Sequence, residues 1–257
     1  MMTGSEAQEC TVLGSRCFVG DLRRASEHVI ERVSTGSGGY VCQANAHVLV
    51  TSRHDLKLRK ALEEAWVVHP DGWPVAWQAR RLGATSATRI PGADLMTRIF
   101  ELGEAVGLRH YLFGSTPDVI HRLETALASA HKKATIVGAV SPPFGSLFDE
   151  QALQAVEDIR SAEPDIVWCG LGAPKQELWM NRYASVLAPA VLLGVGAAFD
   201  FHAGTKRRAP EWMQRSGLEW AHRLWSEPRR LVGRYVRTNS EFIVRAAVEI
   251  ASTRRSA

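Results

Sequence analysis

The stretch Asp165-Ile166-Val167-Trp168-Cys169-Gly170-Leu171-Gly172-Ala173-Pro174-Lys175-Gln176-Glu177 decides the fold. Its first five residues are nearly continuously apolar, the pattern of a strand covered on both faces. Gly170 and Gly172 break the run, and Pro174 suits the start of a helix with Lys175, Gln176 and Glu177 in its first turn. Strand, glycine turn and helix in that order make half of a βαβ unit. The pattern recurs on both sides, with short apolar strands expected at 40–43, 109–113, Thr135–Val140, 165–169 and 191–195. Helical patterns separate them, such as Gly92–Val106 with Leu95, Met96, Ile99, Phe100 and Leu102 on its apolar positions. Another helix should begin at Ser115-Thr116-Pro117-Asp118, where a hydroxyl cap, a first-turn proline and an acid coincide. Alternation of this kind predicts a Rossmann-like α/β domain, three layers around a parallel sheet.

Composition fits that expectation. The 257 residues are 46% hydrophobic and 23% charged, ordinary globular values that exclude a disordered or fibrous chain. A core of this size needs no disulfides or structural metal. Cys10, Cys17, Cys42 and Cys169 show no CxxC spacing and read as reduced, mostly buried thiols of a cytosolic protein. The amino terminus lacks the apolar core of a signal peptide. The longest apolar run, 188–201, falls short of the ~20 residues that cross a bilayer. The net charge of +4 conceals an asymmetry: 206–257 carries twelve Lys/Arg against five Asp/Glu, hence +7, leaving −3 on the rest. A basic stretch of that kind implies an anionic partner, whether phosphate, nucleic acid or a membrane face. A break in character near Gly204 divides the chain into a flexible amino terminus (1–11), a catalytic domain (12–205) and a basic helical carboxy-terminal appendage (206–257).

Glycine closes several strands: Gly114 after Phe113, Gly170 and Gly172 after Cys169, and Gly194 and Gly196 around Val195. At the carboxyl ends of parallel strands, glycine lets backbone N–H groups approach a ligand, and helix amino termini there favour phosphate. Glycine also sits at such turns for geometric reasons alone. Neither glycine pair completes GxGxxG, and no GxxxxGK[ST] occurs, so a dinucleotide fingerprint and a P-loop are both absent from the sequence. Three polar clusters stand out: Gln43-Ala44-Asn45-Ala46-His47, His69-Pro70-Asp71-Gly72, and Gly172-Ala173-Pro174-Lys175-Gln176-Glu177. Taken alone, Asp71 could serve a turn and Gln176 and Glu177 could be ordinary first-turn residues.

Together and in this order, the clusters resemble the WecG/TagA/CpsF family of bacterial glycosyltransferases. The resemblance runs from about Val12 to Tyr235. It includes Arg89-Ile90-Pro91-Gly92-Ala93-Asp94-Leu95, Gly196-Ala197-Ala198-Phe199-Asp200-Phe201, Arg208-Ala209-Pro210-Glu211-Trp212-Met213-Gln214, Gly217-Leu218-Glu219-Trp220 and Arg223-Leu224. It implies an inverting transfer from a nucleotide-diphosphate sugar, here a UDP-sugar, to a polyprenyl-diphosphate-linked saccharide in cell-surface polysaccharide or exopolysaccharide synthesis. It also implies a basic appendage that helps form the site at the membrane, and so a protein held peripherally on the inner face of the plasma membrane.

Inverting transfer needs a base for the acceptor hydroxyl and positive groups or N–H donors for the departing diphosphate. Asp71, which matches the family's Asp-Gly motif, is the expected base, and Asn45 the residue that positions sugar or acceptor. The family has Thr-x-Asn where this chain has Gln43-Ala44-Asn45, so Gln43 stands in a catalytic position with a longer side chain and no hydroxyl. Lys175, Gln176, Glu177 and Asp200, with Gly114, Gly170, Gly172 and Gly196, are the expected nucleotide-sugar contacts. Arg89 and Asp94 join them, although an Arg–Asp pair could simply brace the fold. No DxD occurs in the sequence, so a metal-independent transfer without a cofactor is expected. Arg208, Arg223, Arg230 and Arg234 should grip the lipid diphosphate, with Leu224, Trp225, Leu231, Val232 and Tyr235 facing the membrane. An exposed apolar tail would favour a homo-oligomer. A rival reading is a non-catalytic nucleotide-sugar-binding regulator of polysaccharide assembly. Nucleic acid is not expected as a partner, because the tail lacks the aromatic–basic motifs of RNA readers.

Overall fold

The structure, a computed structural model, describes residues 8–143, 149–226 and 228–256. The chain enters through an antiparallel hairpin of β1 (Glu9–Val12) and β2 (Ser15–Phe18). Residues 9–11 are therefore strand, not the flexible terminus expected from sequence; 1–7 lie outside the described residues. The two-residue turn, Leu13 at φ 48° and Gly14 at φ 84°, has both residues left-handed, as a tight hairpin requires. Four-residue strands are too short for periodicity to reveal, which is why the sequence shows no hairpin there.

After α1 (Leu22–Ser34) come β3 (Gly39–Ala44), α2 (Ala46–Ser52), α3 (Leu56–Glu63), β4 (Val67–Pro70), α4 (Trp73–Arg81) and α5 (Gly92–Val106). Then follow β5 (Arg109–Gly114), α6 (Pro117–Ala130), β6 (Thr135–Val140), α7 (Glu150–Ser161), β7 (Ile166–Gly170), α8 (Lys175–Tyr183), β8 (Val191–Gly194) and α9 (Ala198–His202). Strands β3 to β8 form one parallel sheet in the order β4-β3-β8-β7-β5-β6. The expected α/β architecture is therefore present, and the five strands read from sequence lie within a residue of their observed bounds. Alternation along each strand feeds two cores. Cys42, Val167, Cys169 and Leu192 pack with α2, α3 and α8, whereas Val41, Trp168, Val191 and Leu193 pack with α1, α5 and α6. Thr116 caps α6 by accepting from the Val119 N–H, with Pro117 at its first position. All four cysteines are free, and three of them are buried.

The carboxy-terminal part is helical: α10 (Glu211–Arg215), α11 (Glu219–Ser226) and α12 (Pro228–Ser256). No helix among the described residues is long and apolar enough to cross a membrane. The far half of α12 is packed into the body, because Phe242 and Ala246 are buried in the same core as α2. Glu249 fastens it, accepting from the Leu13 N–H at 3.0 Å and from Gln78 Nε2 at 3.0 Å. The body thus extends beyond residue 205 to include this stretch of helix.

Candidate active site

The carboxyl ends of β3, β4, β7 and β8 meet along one edge of the sheet. Asn45 leaves β3 and caps α2, its Oδ1 accepting from the Val48 N–H at 3.2 Å. That bond fixes the amide plane and leaves the Asn45 NH2, with its two donors, to offer a substrate. Asp71 leaves β4, and its backbone N–H donates to the Ala44 carbonyl at 2.9 Å, which sets it beside Asn45. Gly72 follows at φ 125°, and a Cβ there would lie 3.7 Å from the Asn45 Cβ. The Pro70 carbonyl accepts from the Ile90 N–H at 2.7 Å, which brings the 89–91 loop and the start of α5 to the same corner. Gly92 completes the junction, since a Cβ there would stand 3.1 Å from the Val195 carbonyl oxygen after β8. A half-buried carboxylate, an amide and two glycine turns therefore share one crevice.

Charged residues around it form a chain of opposite signs. Arg89 Nη1 bonds Glu219 Oε2 at 2.8 Å, and Arg208 grips the Asp94 carboxylate through Nη1 and Nη2. Arg208 Nε also faces Glu219 Oε1 at 3.8 Å. Burial works against the Arg208 charge, yet the hydrogen bond and charge of Asp94, then Glu219 and Asp71, hold its pKa above the ordinary value. Arg89 and Asp94 thus do not pair with each other. Each is tied to the carboxy-terminal segment, so brace and crevice wall are the same structure. Arg208, expected on the lipid diphosphate, is held in this network. The side chains of Arg223, Arg230 and Arg234 lie outside the described residues.

Three further expected site residues are buried. Gln43 is 4% exposed, and strand alternation turns it to the α1 face, where Nε2 meets His69 Nδ1 at 3.2 Å. It is packed on that face near the carboxyl end of β3. Gln176 and Glu177 are likewise interior, at 3% and 0% exposure. Gln176 Oε1 accepts from the Gly172 N–H at 3.1 Å, and its Nε2 donates to Glu177 Oε1 at 3.0 Å. The pair braces the two glycine turns from below: a Cβ on Gly194 would stand 3.0 Å from Gln176 Nε2, and one on Gly196 3.5 Å from its Oε1. Burial pushes the Glu177 carboxyl up to about 7, although its own backbone and Gln176 pull the other way.

The glycines divide by role. A Cβ on Gly114 would stand 2.6 Å from the Gly170 carbonyl carbon, and one on Gly170 2.4 Å from the Phe199 ring, so both are required by packing. Gly172, at φ 77°, faces open space, the turn that a ligand could approach. Lys175 is exposed at the start of α8 beside it. Asp200 closes the turn after α9, with Thr205 Oγ1 at 3.3 Å and Lys206 Nζ at 3.5 Å. Among the described residues, no group of three His, Cys, Asp or Glu is placed to hold a metal ion. Glu219 stands in a stretch that resembles the family, Gly217-Leu218-Glu219-Trp220, but nothing in the sequence gives it a role, and Trp73 carries no signal beyond following Asp-Gly. Structure alone brings Glu219 to Arg89 and sets Trp73 against Gly217, where a Cβ would meet the indole at 2.9 Å.

A parallel α/β sheet with a carboxylate and an open glycine turn at its carboxyl edge has its ligand-binding side there. The chain matches the sequence model of the glycosyl transferase WecG/TagA/CpsF family over residues 10–256 and belongs to that family. It is a glycosyltransferase. It is 28% identical over 193 residues to the N-acetylglucosaminyldiphosphoundecaprenol N-acetyl-beta-D-mannosaminyltransferase of Bacillus subtilis (strain 168), covering 75% of this chain and 73% of that protein. The enzyme of the same name from Bacillus spizizenii (strain ATCC 23059 / NRRL B-14472 / W23) is 26% identical over the same coverage.

Proposed function

We propose that this chain moves a sugar from a UDP-sugar to a hydroxyl of an N-acetylglucosaminyl unit carried on polyprenyl diphosphate, inverting the anomeric carbon without a metal ion. The observation that carries this reading is Asp71 held beside Asn45 at the carboxyl edge of the sheet. The names of the Bacillus relatives support the acceptor class. In the proposed step Asp71 takes the proton of the acceptor hydroxyl as its oxygen attacks the anomeric carbon. The bond from that carbon to the diphosphate oxygen breaks, and its electron pair leaves with UDP. The amino terminus of α8 and Lys175 face the developing phosphate charge, and the Asn45 NH2 orients a sugar hydroxyl. The acceptor is lipid-linked, so the reaction takes place at the cytoplasmic membrane surface, with the +7 carboxy-terminal stretch toward the lipid.

The test is sugar transfer to a polyprenyl-diphosphate-linked N-acetylglucosamine, screening UDP-sugars with EDTA present. Transfer should survive EDTA and fall about a hundredfold or more in Asp71→Asn, the scale of losing a general base. Retained activity in that variant would remove Asp71 as the base, and loss of wild-type activity in EDTA would remove metal independence.

A further inference from the structure

An acceptor of the proposed class carries a long hydrocarbon chain, and an apolar trough opens where the crevice ends. We infer that the trough between α4 and α12 binds the isoprenoid chain of the lipid-linked acceptor, a proposal that rests on the transferase reading above.

The trough encloses about 740 Å³, within the size range of sites that take small molecules. Its lining is wholly apolar and includes Trp73, Pro74 and Trp77 on α4 and Ile243, Ala247 and Ile250 on α12. Trp73 and Trp77 stack at 6.2 Å between ring centroids, which gives one wall a flat aromatic face. Phe242 and Ala246 are buried at its base, whereas Trp73 is 42% and Ile243 67% exposed at its rim. That much apolar surface beside a reaction site, left to water, calls for an apolar ligand.

Position selects the chain of the acceptor. Trp73 stands two residues after Asp71, so the trough begins where a sugar with its hydroxyl at Asp71 would hand over to the lipid. The head of the trough is closed by Gly217 against the Trp73 indole, on the same segment that carries Arg208 and Glu219. A diphosphate between sugar and lipid would thus pass basic residues before its chain meets the indoles. Shape argues against the bilayer itself as occupant. A bilayer takes convex apolar ridges, whereas this is a concave slot between two helices with Ala246 and Ala247 along it. The opposite groove of α12 differs in carrying charge, since Arg53, Glu241, Arg245 and Glu249 line it together with Leu13, Val244 and Val248.

The experiment measures equilibrium binding of dimethylallyl, geranyl and farnesyl diphosphate to the full chain by tryptophan fluorescence. Affinity should rise by about tenfold for each added isoprene unit, a fraction of what full burial of its carbons would give. That gain should vanish in Ile243→Glu, a substitution at a position exposed enough to leave folding intact, and in Ala247→Trp, which fills the slot. Equal affinity for the three chains would overturn the proposal, as would a gain that persists in both variants. Displacement of farnesyl diphosphate by anionic vesicles free of prenyl lipid would assign the trough to the bilayer and overturn it too. Sugar transfer is measured separately. Chain-dependent binding without transfer would keep the trough and overturn the transferase reading, and transfer without chain dependence would do the reverse.

Discussion

Glu177 concentrates the tension of the site in one carboxyl. It has no exposed surface, and burial raises its pKa from 4.5 to about 7. Between those values the folded chain keeps a proton that the unfolded chain releases. Stability therefore falls as pH rises from about 4.5 to 7, and stays lower above. Glu177→Gln removes the ionisation but retains an acceptor for Gln176 Nε2. The urea stability of the variant should gain on the wild type by up to about 3 kcal/mol between pH 5 and pH 8. A constant difference across that interval would mean that Glu177 is not a buried neutral acid. His69 is the mirror case. Burial first, and the charge of His28 second, depress its pKa to about 3, so its contribution is complete above 6.5 and lost as pH falls. Its Nδ1 faces Gln43 Nε2, which makes Gln43 a partner in the core. The sequence showed Gln43 next to a motif; only the alternation of a paired strand showed which way it points.

At the scale of elements, the important joint is the one between α5, the 206–210 segment and α11. Asp94 stands in the first turn of α5, Arg208 reaches it from beyond α9, and Glu219 links that pair to Arg89. These side chains are 20–32% exposed, intermediate between a surface pair and a fully buried one. Removing Glu219 leaves two guanidinium groups short of a partner, a loss of about 2 kcal/mol between those limits. Glu219→Ala should raise amide hydrogen exchange across 209–226 and lower transfer, while protection in β3, β7 and β8 stays as it was. Unaltered exchange in 209–226 would show that the network does not hold the segment. Most strands and the helices α5, α6 and α8 were legible because each has a period, a cap or an apolar run, as at Thr116-Pro117 before α6. The β1–β2 hairpin was not, because two four-residue strands around Leu13-Gly14 carry too few residues to show alternation.

For the whole molecule, charge and shape act together. The stretch 206–257 is +7, yet part of that charge is met by acids outside it: Arg208 on Asp94 and Lys206 on Asp200 at 3.5 Å. The remainder is worth about 1 kcal/mol per basic residue near an anionic leaflet, enough for reversible attachment. Trp225 is 89% exposed on α11, beside the region that would meet the lipid. The full chain should sediment with anionic vesicles at low salt and be released as ionic strength rises, since such attraction is screened over a Debye length. Failure to bind anionic vesicles at low salt would remove the membrane as its working surface.

The alternation of strands and helices, the glycine turns, the motifs that mark the family and the charge of the tail were all determined by the sequence, because each is a local pattern or a sum over residues. The company each side chain keeps was decided by tertiary structure alone. Asp71 and Asn45 meet because β3 and β4 are parallel neighbours. Gln176 and Glu177 look like first-turn residues of α8 and prove to be a buried brace, because the start of that helix lies over Gly194 and Gly196. Arg89 and Asp94, five residues apart and opposite in charge, each find a partner more than a hundred residues away. Long-range pairing depends on how the sheet folds the chain back on itself, and no stretch of neighbouring residues contains that information.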